Sequence, residues 1–221
     1  MADGSAPWLA HLKRISALAA TGAHYAALDA EASPLGAFDR ERYEEIRALA
    51  GELLAALAGS TPEAIAHLLP EAARGYATPL VDVRAALVEG DRVLLVRERS
   101  DGRWTLPGGF ADTGMTAAAN VEREVLEEAG LAVRARRLYA VVHKASHGYD
   151  ADLREFYKLY FLCERMPGET GEPRPCGVET LEAAFFPRGA LPPLSTGRVI
   201  APHLDLAFEH AADPDRLPLF D

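Results

Sequence analysis

The sequence predicts an α/β protein in which a mixed sheet lies between helices and follows a small all-α unit. Three observations support this class. Residues 1–75 show only helical periodicity, later residues alternate between apolar and polar positions as strands do, and one strongly helical segment interrupts those strands. We therefore expect an N-terminal helical domain over residues 1–75 and a second domain over residues 78–221.

The composition is that of a soluble globular protein. The chain has 221 residues, of which 49% are hydrophobic and 25% charged, and its net charge is −10. We do not expect so acidic a protein to coat nucleic acid or an anionic membrane. Cys163 and Cys176 are too few for a disulfide framework and lack zinc-ligand spacing, which favours a cytoplasmic location. The sequence shows no apolar run near the roughly 18 residues of a membrane span, and no signal peptide is apparent.

Residues 1–75 are predicted to begin with one helix and a less regular stretch. Apolar residues recur at helical spacing over residues 8–18, and Gly22 is expected to end this first helix. Residues 23–37 contain Pro34 and Gly36 and indicate a loop or a weak helix.

The second helix is predicted to begin at Asp39, which is a suitable N-cap. Its apolar stripe consists of Tyr43, Ile46, Leu49, Leu53, Leu54 and Leu57. Thr61 and Pro62 indicate the start of a short third helix that runs to about Leu69. Short helices bury little surface alone, so we expect this unit to pack in a homodimer, with a lid or brace on the same chain as the alternative.

Strand signals follow the helical unit. Alternation over residues 81–88, a turn at residues 89–91 and the apolar run 93–96 predict a β-hairpin. Further strands are expected at Leu138–His143, Phe156–Cys163 and Leu181–Phe186, the last at an edge. Residues 195–210 are predicted to form the closing helix, which Pro202 limits or kinks.

A helix rich in glutamate is predicted over Ala117–Ala129, with Thr116 and Gly130 suited to its two ends. At about 100° per residue, Glu124, Glu127 and Glu128 lie within one sector of its surface. Neighbouring carboxylates repel one another unless a cation lies among them, and Mg²⁺ prefers oxygen ligands of this kind. A solvated acidic face is the alternative interpretation.

The sequence around this helix resembles the Nudix box. That pattern is a glycine, five residues, a glutamate, seven residues and then R-E-U-x-E-E-x-G-U, in which U is aliphatic. The matching positions are Gly109, Arg123, Glu124, Val125, Glu127, Glu128, Gly130 and Leu131. The run from Trp104 to Gly109, which ends in Pro-Gly-Gly, precedes them. The resemblance implies a Nudix α/β/α sandwich with a mixed sheet over about residues 78–210.

One position departs from the box, because Met115 stands where the family usually has its first glutamate. In the family this glutamate mainly braces the loop and the helix, often through the box arginine, here Arg123. It is not usually an indispensable metal ligand. Met115 is therefore expected to leave the metal site usable.

Other stretches resemble one Nudix subfamily. They are Arg40–Arg47, Gly75–Pro79, Val81–Arg84, Gly102–Gly114, Tyr157–Cys163 and Leu191–Ser195. In that subfamily an N-terminal helical domain contributes to a dimer, and the substrates are nucleoside diphosphates linked to another moiety. The resemblance implies metal-dependent pyrophosphate hydrolysis of a CDP-choline-like molecule, with ADP-ribose or another nucleotide sugar as the alternative substrate.

The resemblance also implies roles for the box residues. Mg²⁺ or Mn²⁺ would be held by Glu124, Glu127, Glu128 and the carbonyl of Gly108, while Arg123 orients the carboxylates. Hydrolysis of a P–O–P bond needs charge neutralisation, an oriented water and a base. The base would be Glu124 or Glu127, or an acid of a later loop. Candidates on that loop are Glu169, Glu172 and Glu179.

Contacts with the substrate are predicted at four positions. Arg84 and Arg97 lie on strands and could hold phosphate, although exposed strand charges are the alternative. His143 could meet the leaving phosphate, and Trp104 could stack on a base, although core packing is the alternative for the tryptophan. A second class of function also stays open: a Nudix-fold sensor without turnover, which Met115 alone favours.

Overall fold

A computed structural model describes residues 5–30, 34–69 and 75–221. The chain divides into two compact units. The first comprises Met1–Pro79 with Ala151–Glu155, and the second comprises Leu80–Asp150 with Phe156–Asp221. The predicted domains, 1–75 and 78–221, did not place the segment Ala151–Glu155 with the helical unit.

The helical unit is built on α1 (Ser5–Ala30) and α2 (Pro34–Leu57), which pack against each other. Gly22 does not end α1, contrary to the prediction. It lies inside the helix, and a Cβ built there would be 2.6 Å from the ring of Tyr43 on α2. The missing side chain therefore admits an aromatic ring between the helices. Residues 23–30, predicted as a loop or a weak helix, continue α1.

The second and third helices follow the predicted order with shifted starts. Helix α2 begins before Asp39, and residues 31–33 of the predicted loop lie outside the described residues. Helix α3 (Pro62–Ile65) is capped by Thr61 Oγ1, which accepts from the Ala64 N–H at 3.3 Å. A 3-10 turn over Ala66–Leu68 continues it.

Much apolar side-chain surface of the two long helices is exposed. Leu54 is fully buried in the unit's own core. The rest of the predicted stripe is exposed: Tyr43, Ile46, Leu49, Leu53 and Leu57 on α2, with Trp8, Ile15 and Leu18 on α1. Apolar surface of this extent is typical of an interaction surface. Within the described chain, no helix is both long and apolar enough to cross a membrane.

The second unit contains a seven-stranded mixed sheet with helices on its two faces. The strands are β1 (Leu80–Glu89), β2 (Arg92–Glu98), β3 (Trp104–Thr105), β4 (Val133–His143), β5 (Phe156–Arg165), β6 (Thr180–Pro187) and β7 (Leu219–Phe220). Their order is β3-β2-β1-β5-β4-β7, with β6 paired to β2, and β1 runs parallel to β5. The predicted α/β class and mixed sheet are confirmed.

Helices α4 (Ala117–Ala129) and α5 (Ala201–Ala212) cover opposite faces of this sheet. Val83 and Ala85 of β1 join the apolar cluster that includes the valines of α4, whereas Ala86 joins the cluster under α5. Because its side chains alternate between the two faces of the sheet, strand β1 contributes to both apolar clusters. The bounds of α4 agree with the prediction.

The last helix is shorter than predicted. Pro202 lies in the first turn of α5, where a proline is tolerated, so it begins the helix instead of kinking it. Residues 195–200 precede the helix, and Ser195 Oγ donates to Asp101 at 2.7 Å. Strand β7 was not predicted, because two residues are too few to show a period.

Strand β1 changes its partner along its length. Near the turn it pairs with β2 at two positions. Farther along, residues 107–111 take the place of β2, and amides of β1 donate to the carbonyls of Pro107 and Gly109 at 2.9 and 2.8 Å. The Pro-Gly-Gly run is thereby held as an extra short strand against β1.

Gly108 makes this close approach possible. Its φ is 144°, and a Cβ built on it would lie 2.0 Å from the carbonyl oxygen of Val83. Neither the backbone conformation nor the space admits another residue.

Gly108→Ala is expected to lower the free energy of unfolding by about 2 kcal/mol or more, because the methyl group forces the segment away from β1. Urea unfolding measures the change. Gly148→Ala is the matched control, since a Cβ there meets nothing within 4 Å. Equal stabilities of the two variants would contradict the interpretation.

Candidate active site

Helix α4 presents its glutamates to the segment that β1 holds. Thr116 Oγ1 caps the helix by accepting from the N–H of Ala119 at 3.1 Å, and Gly130 ends it in the left-handed conformation. Val121 and Val125 are buried against the sheet, which fixes the rotation of the helix about its axis. The glutamates therefore leave the helix on a defined side.

Glu128 is held from two directions. Its Oε2 accepts from the N–H of Gly108 at 3.0 Å, and Thr180 Oγ1 donates to its backbone carbonyl at 3.0 Å. Burial raises the pKa of Glu128 to about 8, against the opposing effect of Arg84. A buried carboxyl group of this kind is stabilised in its charged form by a cation close by.

The other two glutamates differ in their surroundings. The carboxylate of Glu124 lies beside Gly109, where a built Cβ would be 3.3 Å from both of its oxygens. Burial raises the pKa of Glu124 as well. Glu127 is exposed, and its Oε1 lies 3.6 Å from Nε of Arg123. The structure thus brings Glu124 and Glu128 to the glycine segment and leaves Glu127 at the surface.

This donor set fits a divalent cation that the substrate helps to coordinate. Among the described residues, no three acid, histidine or cysteine side chains form a metal-binding group. Mg²⁺ is commonly held by one or two carboxylates together with waters and phosphate oxygens. Glu124, Glu128 and the carbonyl of Gly108 could supply the protein's share.

Arg123 has its anionic partner at a position that the box does not specify. Its Nη2 lies 2.7 Å from Asp112 Oδ2 and 3.5 Å from Glu124 Oε1. The sulfur of Met115 is 3.6 Å from Nη1 of Arg123. Asp112 therefore makes the ionic contact to the box arginine that the resemblance attributes to the missing glutamate. Its own N–H donates to Asn120 Oδ1 at 2.9 Å, which fixes its place.

Two arginines were predicted to hold phosphate, and of these Arg84 is the one whose charge influences the pKa values of Glu124 and Glu128. Arg84 is buried, its charge opposes the raised pKa of Glu128, and it donates to Asp82 and to the carbonyl of Leu106. Arg97 instead ties β2 to β6, with Nη1 2.6 Å from Glu182. Both residues stay predicted substrate contacts.

Trp104 and His143 are engaged elsewhere. Trp104 is 9% exposed and packs edge-on against Phe186, with ring centroids 4.6 Å apart, so it is part of the core. His143 Nδ1 lies 2.9 Å from Ser146 Oγ, and its ring packs against Tyr157. A base or phosphate contact at either residue stays a prediction.

The acids on the later loop are also distinguished by their contacts. Glu169 accepts from the amides of Gly171 and Ala132, which lowers its pKa and makes it a brace of the loop. Glu172 is exposed. Glu179 is exposed, and its charge acts on that of Glu98. Which of these loop acids acts as a base stays a prediction.

Sequence reasoning missed four charged residues of this region: Asp82, Asp112, Lys158 and Glu98. Burial raises the pKa of Glu98, which also pairs with Arg198 at 3.2 Å. Asp82 and Lys158 occupy strand positions between apolar residues, and this pattern is the signal that could have found those two.

A hydrogen-bonded group lies on the α5 face of the same sheet. The hydroxyl of Tyr149 contacts both the hydroxyl of Tyr160 and Nδ1 of His203. Burial lowers the pKa of His203 to about 4, and the neighbouring His147 and Lys158 act in the same direction. His203 is therefore neutral in the folded protein at neutral pH.

Comparison with known proteins gives the family. Residues 78–205 match the family model of the NUDIX domain. The chain belongs to the Nudix family. Residues 6–69 match a second model, described as a UDP-X-like N-terminal oligomerisation domain. The resemblance drawn from the box is thus confirmed for the second domain, and the N-terminal helical domain implied by the subfamily resemblance has a family model of its own.

Two relatives of this Nudix hydrolase match nearly its whole length, and a third matches about two thirds of it. A Bacillus subtilis protein, YjhB, named as a provisional ADP-ribose pyrophosphatase, is 37% identical over 214 residues, or 97% of each chain. The crystal structure of a UDP-X diphosphatase shares 30% identity with a TM-score of 0.59, covering 98% of this chain and 99% of its own. An ADP-ribose pyrophosphatase from Streptococcus suis shares 38% identity with a TM-score of 0.58, covering 65% of this chain and 100% of its own. The predicted enzyme class, a Nudix pyrophosphohydrolase, is confirmed.

Asp112→Asn is expected to lower kcat about tenfold, because the ionic contact that orients Arg123 is lost while the backbone bond to Asn120 remains. Met115→Glu alone should change kcat by less than about tenfold. In the double variant the new glutamate can reach Arg123 and should recover most of the loss. Steady-state hydrolysis assays measure all three, and a double variant no better than Asp112→Asn would contradict the compensation.

The neutral state of His203 predicts a pH dependence of stability. Between pH 4 and 6.5 the unfolded histidine binds more protons than the folded one, so the free energy of unfolding falls as pH falls through this range. His203→Gln should remove up to about 3 kcal/mol of the difference between pH 7.5 and pH 4. Urea unfolding at both pH values measures it, with exposed His67→Gln as the control. Equal pH slopes for wild type and His203→Gln would be evidence against it.

Proposed function

We propose that this Nudix hydrolase cleaves the pyrophosphate bond of a nucleoside diphosphate linked to another moiety, with a divalent metal as cofactor. The observation that carries the proposal is the pair of carboxylates, Glu124 and Glu128, held against the Gly108–Gly109 segment. The names of the relatives support it, because UDP-X and ADP-ribose are both diphosphates that join a nucleoside to a second group.

The proposed metal is Mg²⁺ or Mn²⁺, held by Glu124, Glu128 and the carbonyl of Gly108, with Glu127 able to reach it from the surface. When bound, the ion would supply positive charge against the diphosphate and make the attacking water more acidic. The protein's part is to keep two carboxylates and one backbone carbonyl in fixed positions.

Glu124 is the proposed base, with Glu127 and Glu179 as the other candidates. Burial raises the pKa of Glu124, which makes its carboxylate a better proton acceptor. Arg123 holds the Glu124 carboxylate from one side, and Asp112 holds Arg123. Arg84 uses three of its five N–H groups in the described bonds and can offer the others to phosphate.

A CDP-choline-like molecule is the proposed substrate. ADP-ribose is the second candidate, which the names of the B. subtilis and S. suis relatives favour. The sensor alternative is weakened, because Asp112 supplies the ionic contact to Arg123 that the uncharged Met115 cannot make. Since Cys163 and Cys176 are both free thiols, the cytoplasm is the proposed location.

Glu128→Gln is expected to lower kcat at least about 100-fold, close to 2.7 kcal/mol of barrier, because an amide cannot replace a carboxylate at a cation. Release of phosphate from CDP-choline and ADP-ribose with a coupled phosphatase and Mg²⁺ measures turnover. Glu164→Gln, at an exposed carboxylate of β5, is the control. Near-normal turnover of Glu128→Gln would overturn the site, and ligand binding without any product would favour the sensor.

We also propose a homodimer formed through α1 and α2. The exposed stripe on α2 and the match to an oligomerisation domain support it. The double variant Leu49→Glu, Leu53→Glu should shift the protein to a monomer in light scattering, because four charges would enter the interface of a dimer. Glu52→Gln, exposed on the same helix, is the control, and a double variant that stays dimeric would contradict this surface.

A further inference from the structure

Three charged side chains are buried together on the face of the sheet that α5 covers. Asp82, Arg84 and Lys158 are 6%, 4% and 2% exposed. Asp82 and Arg84 lie two residues apart on β1, and Lys158 is directly opposite Asp82 on the parallel strand β5. Their neighbours farther along both strands are core residues, so the cluster interrupts an otherwise apolar face.

One carboxylate serves both cations. Asp82 Oδ1 accepts from Nε of Arg84 at 2.9 Å and from Nζ of Lys158 at 2.7 Å, while Oδ2 accepts from Nη2 of Arg84 at 2.8 Å. The third bond of Arg84 goes to a neutral acceptor, the carbonyl of Leu106, at 3.1 Å. The cluster therefore carries one more positive than negative charge.

The pKa values of Asp82 and Lys158 reflect this excess of positive charge. Asp82 keeps its charge, since Arg84 and Lys158 outweigh its burial and lower its pKa. The pKa of Lys158 falls to about 8, because burial and the cations Arg84 and Lys144 outweigh Asp82. A buried cation that its hydrogen-bond partners do not fully compensate is destabilising, and apolar residues of similar volume are often more stable at such a position. The arrangement is suited to an anion more than to stability.

The cluster adjoins the carboxylates of α4. Leu106, which accepts from Arg84, lies two residues before Gly108, the residue that bonds Glu128. The charge of Arg84 acts on Glu98, Glu124 and Glu128. Arg84 thus belongs to the buried cluster and also acts on the carboxylates of the candidate active site.

We propose that Asp82, Arg84 and Lys158 form an anion subsite for the phosphate of the substrate that is turned away from Glu124 and Glu128. The subsite rests on the proposed function and assigns Lys158 a role in it. Arg84 has two N–H groups left after its described bonds, and Lys158 also has two. Asp82 is the positioning residue, because it holds both cations in place.

The ring of Tyr149 packs against the ammonium group of this subsite. Its ring centroid lies 5.6 Å from Nζ of Lys158, and its hydroxyl is held by Tyr160 and His203. Tyr149 belongs to the connection between β4 and β5 and not to the sheet itself.

The test uses inorganic pyrophosphate as the probe, titrated into the full-length protein in the presence of EDTA and followed by calorimetry. Lys158→Met should weaken its binding at least tenfold, and Lys158→Arg should restore most of the affinity. Arg165→Met is the matched control, since Arg165 lies on the same strand and is paired with Glu89. With CDP-choline and Mg²⁺, Lys158→Met should raise KM by a similar factor and change kcat much less.

The outcomes separate this inference from the proposed function. If wild type hydrolyses its substrate but Lys158→Met keeps both its pyrophosphate affinity and its KM, the subsite is wrong and the function stands. If wild type binds pyrophosphate through Lys158 but releases no product, the subsite stands and the function is wrong. Thermal unfolding checks that Lys158→Met is folded, and Lys158→Gln replaces it if it is not. A loss of stability without any loss of pyrophosphate affinity would make Lys158 structural.

Discussion

Gly108 passes so close to β1 that no side chain fits between them, and the position of the active-site segment follows from that contact. The carbonyls on either side of Gly108 accept from amides of β1, and its own N–H reaches Glu128. The sheet, the Pro-Gly-Gly run and α4 are thereby fixed relative to one another through backbone groups. Backbone bonds of this kind hold carboxylates in place without using a side chain for the purpose.

Charge compensation is the second organising feature of the site. Glu98, Glu124 and Glu128 are carboxylates whose pKa values are raised by burial, and Arg84 and Arg123 are the cations beside them. Glu98 also pairs with Arg198. Arg84 is shared between these carboxylates and the Asp82–Lys158 pair, so it links the acidic side of the site to the α5 side.

The sequence predicted the fold well where local signals agree with the packing. Thr116, Gly130 and the valines of α4 all indicate one helix, and its observed bounds match. Gly22 misled because a glycine can also mark a close approach, and only the position of Tyr43 distinguishes the two uses. Pro202 misled in a similar way, because a proline suits a first turn as well as a break.

The residues of the candidate site that belong to one sequence motif were predictable, whereas the contacts that depend on tertiary folding were not. The box spacing located Glu124 and Glu128, since both follow from one helix and one glycine. Asp112 was missed because its partner Arg123 is eleven residues away and the contact depends on how the loop folds back. Lys158 was missed for a stronger reason, because it meets Asp82 only after two distant strands align in parallel.

The side chains of β1 alternate between an apolar face and a charged face. Val83 and Ala85 face the helix that carries the acidic residues, whereas Asp82 and Arg84 face the opposite layer. Under the proposed subsite, exchanges at Asp82 and Arg84 would change the anion site, and because Arg84 also donates to the carbonyl of Leu106 they would affect the glycine segment as well. One strand therefore contributes to both layers of the sheet, with apolar side chains on one face and charged side chains on the other.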